Sequence, residues 1–157
     1  MDYAHEIGKI LKAKSWKIST TESCTGGLLS SKLTDVSGSS EYITLNLVTY
    51  ANEAKHKMLG VKNETLDNFG AVSEECACEM AKGLQKLTDS DICVSTTGIA
   101  GPTGGSEEKP VGLMYSTIYT KDKFKTYKIQ IPSTTPRIEM KELFAQEVLK
   151  NIFEFLK

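Results

Sequence analysis

The sequence predicts a three-layer α/β/α sandwich around a mixed sheet of about five strands. Three observations carry that prediction. Periodic segments follow one another in the order helix, strand, helix, strand, helices, strand, strand, strand, helix. The run Ile92–Thr97 is β-branched and suited to a strand buried on both faces, whereas Val111–Tyr119 and Phe124–Ile131 alternate about Thr120–Lys123 as an antiparallel hairpin does. The chain has 157 residues, 39% apolar and 25% charged, with 12 glycines and 4 prolines, which is the size and composition of one globular domain over 1–157 and not of a disordered or collagen-like chain.

Each element has its own signal. Ala4–Lys14 sets Ala4, Ile7, Ile10 and Leu11 on one helical face. Trp16, Ile18 and Thr20 alternate with Lys17 and Ser19 as a short strand, which runs into the turn Thr21–Gly27. A helix follows from Gly26 to Leu33 with Leu28, Leu29 and Leu33 together. Val36–Ser40 is a Gly/Ser loop, and Tyr42–Tyr50 alternates as a strand whose end carries Thr49, Tyr50 and Asn52. Glu53–Leu59 is a short helix closed at Gly60, and Glu64–Asn68 a second before Gly70. Ser73–Leu87 is a longer helix, with Glu74 and Glu75 in the first turn, where the dipole favours negative charge. The strand Ile92–Thr97 ends in a glycine-rich loop, and Thr135–Pro136 reads as N-cap and first helical position of a final helix carrying Phe144, Val148, Ile152 and Phe155. No repeat or linker is present.

Charge and composition exclude several classes. Nineteen basic residues face twenty acidic ones, so no general positive excess draws the molecule to a nucleic acid or an anionic membrane. Residues 1–17 mix charge with apolar residues and hold no signal-peptide run, and Tyr42–Tyr50 is too short and too polar to span a bilayer. The expected setting is cytoplasmic, with Cys24, Cys76, Cys78 and Cys93 reduced. Cys76 and Cys78 lie two apart on a helix and diverge, while His5 and His56 stand alone, so no metal site is expected.

Three loops gather chemistry at strand ends, where α/β sheets bind ligands. In Thr21–Gly27, Ser23 sits in a strand-to-helix turn with Gly26 and Gly27 beyond it, so that its hydroxyl and nearby backbone N–H groups can face one space. Thr21 stands where a nucleophile elbow has glycine, so the G-x-S-x-G pattern is not met. Two readings stand side by side: Ser23 is a nucleophile, or Ser23 or Thr25 caps the helix and the glycines permit close packing. A nucleophilic serine needs a base, and the two isolated histidines favour a serine–lysine arrangement. Arg137 is the single arginine among the 19 basic residues, leaving 18 lysines; Lys55, one helical turn past Tyr50–Asn52, stands out weakly. Cys24 is a rival nucleophile whose side chain diverges from that of Ser23, or a buried thiol. Gly98–Pro110 lacks the glycine patterns of a P-loop or a dinucleotide fold, and reads either as a ligand-covering segment or as a plain loop. Arg137, in the first turn of the last helix, is opposed by the helix dipole unless an anion lies between them; the alternative is an exposed arginine without a role.

Thr21–Glu22–Ser23–Cys24–Thr25–Gly26–Gly27, Thr49–Tyr50–Ala51–Asn52–Glu53–Ala54–Lys55, Gly70–Ala71–Val72–Ser73–Glu74–Glu75, and Thr97–Gly98–Ile99–Ala100–Gly101–Pro102 with Lys109–Pro110–Val111–Gly112 stand in that order. Together they resemble the CinA C-terminal domain family, the nicotinamide-nucleotide amidases or NMN deamidases, in a stand-alone form. The resemblance implies a three-layer fold, a homodimer, no cofactor or metal, and hydrolysis of nicotinamide mononucleotide (NMN) to nicotinate mononucleotide and ammonia in pyridine-nucleotide recycling. It implies Ser23 as nucleophile, Lys55 as general base and Tyr50 as the residue assisting the serine. The N–H groups of Thr25, Gly26 and Gly27 are then oxyanion candidates; Gly98, Ala100 and Gly101 form a nucleotide wall, with Asn52 in the binding set. Family members commonly carry Gly-Asp-Arg before the last helix and another Arg four residues on, where this chain has Thr135–Pro136–Arg137 and Lys141. Arg137 is then the candidate for the substrate phosphate, with phosphate affinity and substrate preference the properties that the changed approach bears on. Two other functions share these residues: a non-catalytic nucleotide-binding or regulatory module, and a Ser–Lys amidase for a different amide.

Overall fold

The computed structural model describes all residues, Met1–Lys157. The chain order is α1 (Tyr3–Lys14), β1 (Ile18–Glu22), α2 (Leu28–Thr34), β2 (Ile43–Val48), α3 (Asn52–Leu59), α4 (Asn63–Phe69), α5 (Glu74–Thr88), β3 (Ile92–Gly98), β4 (Leu113–Tyr119), β5 (Phe124–Gln130) and α6 (Arg137–Leu156). The five strands form one sheet in the order β2-β1-β3-β4-β5. β1 pairs in parallel with both β2 and β3, whereas β3–β4 and β4–β5 are antiparallel. The predicted three-layer α/β fold with a mixed five-stranded sheet is the observed one.

The chain leaves β1 for β2 on one side and returns past it to β3 on the other. Right-handed crossovers therefore put α2 on one face and α3–α5 on the opposite face. α1, α2 and α6 cover the first face over a core that includes Ile7, Leu11, Ile18, Leu29, Val94, Ile118, Phe144 and Ile152. Beneath α5, Leu59, Val61, Cys76, Met80, Leu84 and Cys93 form a smaller core. The reversal at β1 opens a crevice at the carboxyl ends of β1, β2 and β3, the usual ligand position in such a sheet.

Strand periodicity decides which residues reach that crevice. Along β1, Thr20 and Glu22 face α2, and Thr21 and the following Ser23 face α3 and α5. Ser73 caps α5 as the sequence predicts, its Oγ accepting from Cys76 N at 3.1 Å. Of the two readings of the turn, capping of α2 by Ser23 or Thr25 is not observed, because the N-cap is Gly27. The orphan N–H groups of Leu29 and Ser30 donate instead to the Glu22 carboxylate, both at 2.9 Å.

Other boundaries move by a residue or two. Trp16 lies outside β1, and the end of the expected loop Val36–Ser40 runs into a turn of 3-10 helix, Ser39–Glu41. β4 begins at Leu113 and not Val111, because Gly112, at φ 96°, turns the chain and its N–H donates to Ile99 O at 2.8 Å. The final helix starts at Arg137 with Pro136 as N-cap, since Thr135 Oγ1 donates to Pro132 O at 2.7 Å and is not free to cap.

Candidate active site

Three segments leaving the sheet at the crevice bring Ser23, Lys55 and the glycine-rich loop together. Ser23 follows β1, Lys55 lies one turn into the helix after β2, and Gly98–Gly101 follow β3. Helical side chains lean toward the helix N-terminus, so Lys55 reaches back over the start of α3. Its Nζ lies 2.9 Å from Thr49 O, 2.9 Å from Tyr50 O and 3.1 Å from Ser23 Oγ. The side chain is 1% exposed, and burial pushes its pKa below the ordinary lysine value of 10.5. A neutral amine has two hydrogens and one lone pair. Two carbonyls and one hydroxyl surround it here, so the hydrogens satisfy the carbonyls and the lone pair is left for the Ser23 hydroxyl. The structure thus picks out one lysine of eighteen where spacing made only a shortlist.

Tyr50 takes part through its main chain. Its carbonyl accepts from Lys55 and lies 3.5 Å from Ser23 Oγ, while its phenol is turned to the surface and accepts from Arg137 Nη2 at 3.2 Å. The phenol makes no hydrogen bond to Ser23, and the contact between Tyr50 and the serine runs through the main-chain carbonyl.

Arg137 Nη1 donates to Gly101 O at 2.6 Å, so the guanidinium joins the glycine-rich loop to Tyr50 at the mouth of a cavity of about 280 Å³. No carboxylate pairs with it. Of the residues singled out in the sequence, Ser23, Tyr50, Asn52, Lys55, Gly98, Ala100, Gly101 and Arg137 line this cavity. Ile99, Thr103 and Gly104, from the loop read as ligand-covering or plain, also line it, as do Ala71, Val72 and Thr97, which sequence reasoning missed as wall residues. Thr97 Oγ1 donates to Ala71 O at 2.8 Å and fastens two of these walls together, a contact that nothing in the local sequence announces.

Thr25, Gly26 and Gly27 do not line the cavity. Thr25 is fully buried because its hydroxyl donates to Glu22 at 2.5 Å and lies 2.9 Å from Thr96 Oγ1. Gly26 N is taken by Ser23 O at 3.1 Å, whereas the N–H groups of Cys24 and Thr25 make no hydrogen bond to another residue. Gly27 N is unbonded as well, so the free backbone donors of the turn are those of Cys24, Thr25 and Gly27, the first two directly after the serine. Cys24 reaches the cavity wall, but burial pushes its thiol up to about 12, which leaves it without thiolate character. Cys76 is buried and Cys78 half-buried, and no group of three or more His, Cys, Asp or Glu side chains converges anywhere. No helix is long and apolar enough to cross a membrane.

Fold and site define a three-layer α/β domain with a buried serine–lysine pair at the switch point of its sheet. The family described as CinA C-terminal domain matches residues 1–156. The chain is 50% identical over 147 residues to a protein named as competence-damage inducible from Caldanaerobacter subterraneus subsp. tengcongensis, an alignment covering 93% of this chain and 36% of that protein. It is 46% identical over 158 residues to a CinA-like protein of Chloroherpeton thalassium, covering 99% of this chain and 38% of that one. It thus spans little more than a third of the length of these curated relatives. Among solved structures, the competence/damage inducible protein CihA of Agrobacterium tumefaciens superimposes with a TM-score of 0.93 at 35% identity, covering 100% of this chain and 97% of that one. A CinA superfamily protein of Klebsiella pneumoniae gives 0.92 at 29% identity, covering 98% and 95%. This chain belongs to the CinA C-terminal domain family.

Proposed function

We propose that this domain is a serine–lysine amidase that hydrolyses the carboxamide of NMN to nicotinate mononucleotide and ammonia, in pyridine-nucleotide recycling. The observation that carries the reading is the buried Lys55 amine, whose Nζ lies 2.9 Å from each of two carbonyls and 3.1 Å from Ser23 Oγ. A base with a lowered pKa, hydrogen-bonded to a serine in a cavity, is the arrangement that activates a hydroxyl near neutral pH.

Lys55 Nζ takes the Ser23 hydroxyl proton as Oγ bonds to the carboxamide carbon. The carbonyl oxygen gains negative charge, and the free N–H groups of Cys24 and Thr25 are the donors that answer it. The Lys55 ammonium then gives its proton to the departing nitrogen, the C–N bond breaks, and ammonia leaves a Ser23 ester. Water attacks the ester carbon, passing a proton to Lys55. As the Ser23–acyl bond breaks that proton returns to Oγ, and the acid is released as its carboxylate. Each step uses groups of this chain and water, with Arg137 supplying an unpaired cation at the mouth for the substrate phosphate.

The test is ammonia release from NMN by the wild-type protein beside Ser23→Ala and Lys55→Ala, with and without EDTA. Turnover that resists EDTA and is lost in both variants is the expected result. Binding of NMN without ammonia release would instead make the domain a nucleotide-binding module. Neither binding nor turnover would overturn NMN as the substrate and leave a serine–lysine amidase for another amide.

A further inference from the structure

We infer that Glu22 is a positioning residue for the nucleophile: its buried carboxylate holds the strand-to-helix turn so that Ser23 Oγ stays on Lys55 and the N–H groups after it stay free. The inference rests on the reading of Ser23 as nucleophile. Glu22 ends β1 and is fully buried. No lysine or arginine pairs with it, and four donors do: Thr25 Oγ1 and Ser30 Oγ at 2.5 Å, Leu29 N and Ser30 N at 2.9 Å. A buried charge without a counter-ion persists only where hydrogen bonds replace its lost hydration. Such a costly group beside a nucleophile is what the amidase mechanism leaves unused.

The hydrogen bonds lead from the carboxylate back to the serine. Glu22 has no hydrogen to give, so the Thr25 hydroxyl must donate to it. Thr25 Oγ1 is then left to accept from Thr96 Oγ1 at 2.9 Å, and Thr96 Oγ1 accepts from Ser23 N at 3.3 Å. Ser23 N also donates to Thr96 O at 3.1 Å. The acceptor-only carboxylate therefore orients every hydroxyl in a chain that ends on the nucleophile's own backbone. Because Glu22 and Ser23 project to opposite faces of β1, Glu22 acts through this chain and never meets substrate.

Glutamine keeps the size of Glu22 but sets an NH2 group against donors that need an acceptor. Thr25→Val removes both hydrogen bonds of that hydroxyl, to Glu22 and to Thr96, and so breaks the chain at its middle, whereas Thr25→Ser keeps both. The experiment measures covalent labelling of Ser23 by a fluorophosphonate, which requires no knowledge of the substrate, as a maximal rate and a half-saturating concentration, alongside melting curves. Glu22→Gln and Thr25→Val are expected to lower the maximal rate by roughly tenfold to a hundredfold at unchanged half-saturation, since small misplacements of reacting groups cost that much. Thr25→Ser is expected to label as wild type. If Glu22→Gln does not fold, the two Thr25 variants decide. Wild-type labelling by folded Thr25→Val, or a loss that merely follows the folded fraction, overturns the role of Glu22. Failure of the wild type to label overturns Ser23 as nucleophile, and the role of Glu22 with it.

Discussion

If the domain is the proposed amidase, Arg137→Ala should separate recognition of the substrate's phosphate from the chemistry at Ser23. The guanidinium stands at the cavity mouth, held by Gly101 O and Tyr50 O–H and paired with no carboxylate. A hydrogen bond to a charged group contributes about 1.5–3 kcal/mol. At 1.4 kcal/mol per tenfold, removal of the guanidinium should lower kcat/KM for NMN by about 10- to 150-fold, carried in KM. Nicotinamide riboside has the same amide and no phosphate, so its kcat/KM should change by less than about threefold, the effect of losing two contacts to neutral acceptors at an exposed, solvated side chain. The assay is initial-rate ammonia release from each substrate by wild type and variant, with melting temperatures to show that both are folded. Equal losses on the two substrates would refute the reasoning, because Arg137 would then be holding the loop and Tyr50 rather than a phosphate.

Amidase activity should rise with pH along a limb whose midpoint lies below 10.5, because burial lowers the Lys55 pKa and only the neutral amine accepts the serine proton; a limb centred at or above 10.5 would remove Lys55 as base. The same shift makes stability depend on pH. Between its lowered folded value and 10.5 the unfolded chain binds more protons at Lys55 than the folded one, so unfolding free energy should climb with pH across that window and be lost as pH falls through the folded value. Denaturant titrations of Lys55→Met should lack this climb, and a variant with an unaltered slope would count against it. Gly83→Ala should destabilise, since a Cβ there would lie 1.8 Å from Leu59 O, backbone that ends the helix carrying Lys55. Overpacking of this kind costs about 1–3 kcal/mol, a fall in Tm of roughly 2–12 °C for a domain of this size; an unchanged melting curve would contradict the close approach.

Most of the fold is legible in the chain because its signals are local. The i, i+3, i+4 spacing of α1, α5 and α6, the β-branched β3 and the hairpin around Thr120–Lys123 each depend on residues within one segment. Boundaries slipped where a hydrogen bond outside the periodic pattern intervened, a local one from the Thr135 hydroxyl to Pro132 and a longer-range one that ties Gly112 to Ile99. The site was legible in part. Ser23 drew attention by its place in a tight turn, and Lys55 only weakly until the family resemblance selected it.

The sequence by itself determined the elements, their order, the loops that meet at the strand ends and the family to which they belong. It also carried Glu22, in plain view beside Ser23, yet nothing local marks a strand-end carboxylate as the cap of the next helix. Only the tertiary structure decided that Lys55 is the buried amine, that the Tyr50 carbonyl accepts from it, and that Thr25 is turned inward. The physical reason is that hydrogen-bond partners and burial depend on residues far apart in sequence, Ser23 with Lys55 and with Thr96, brought together by the sheet's reversal at β1.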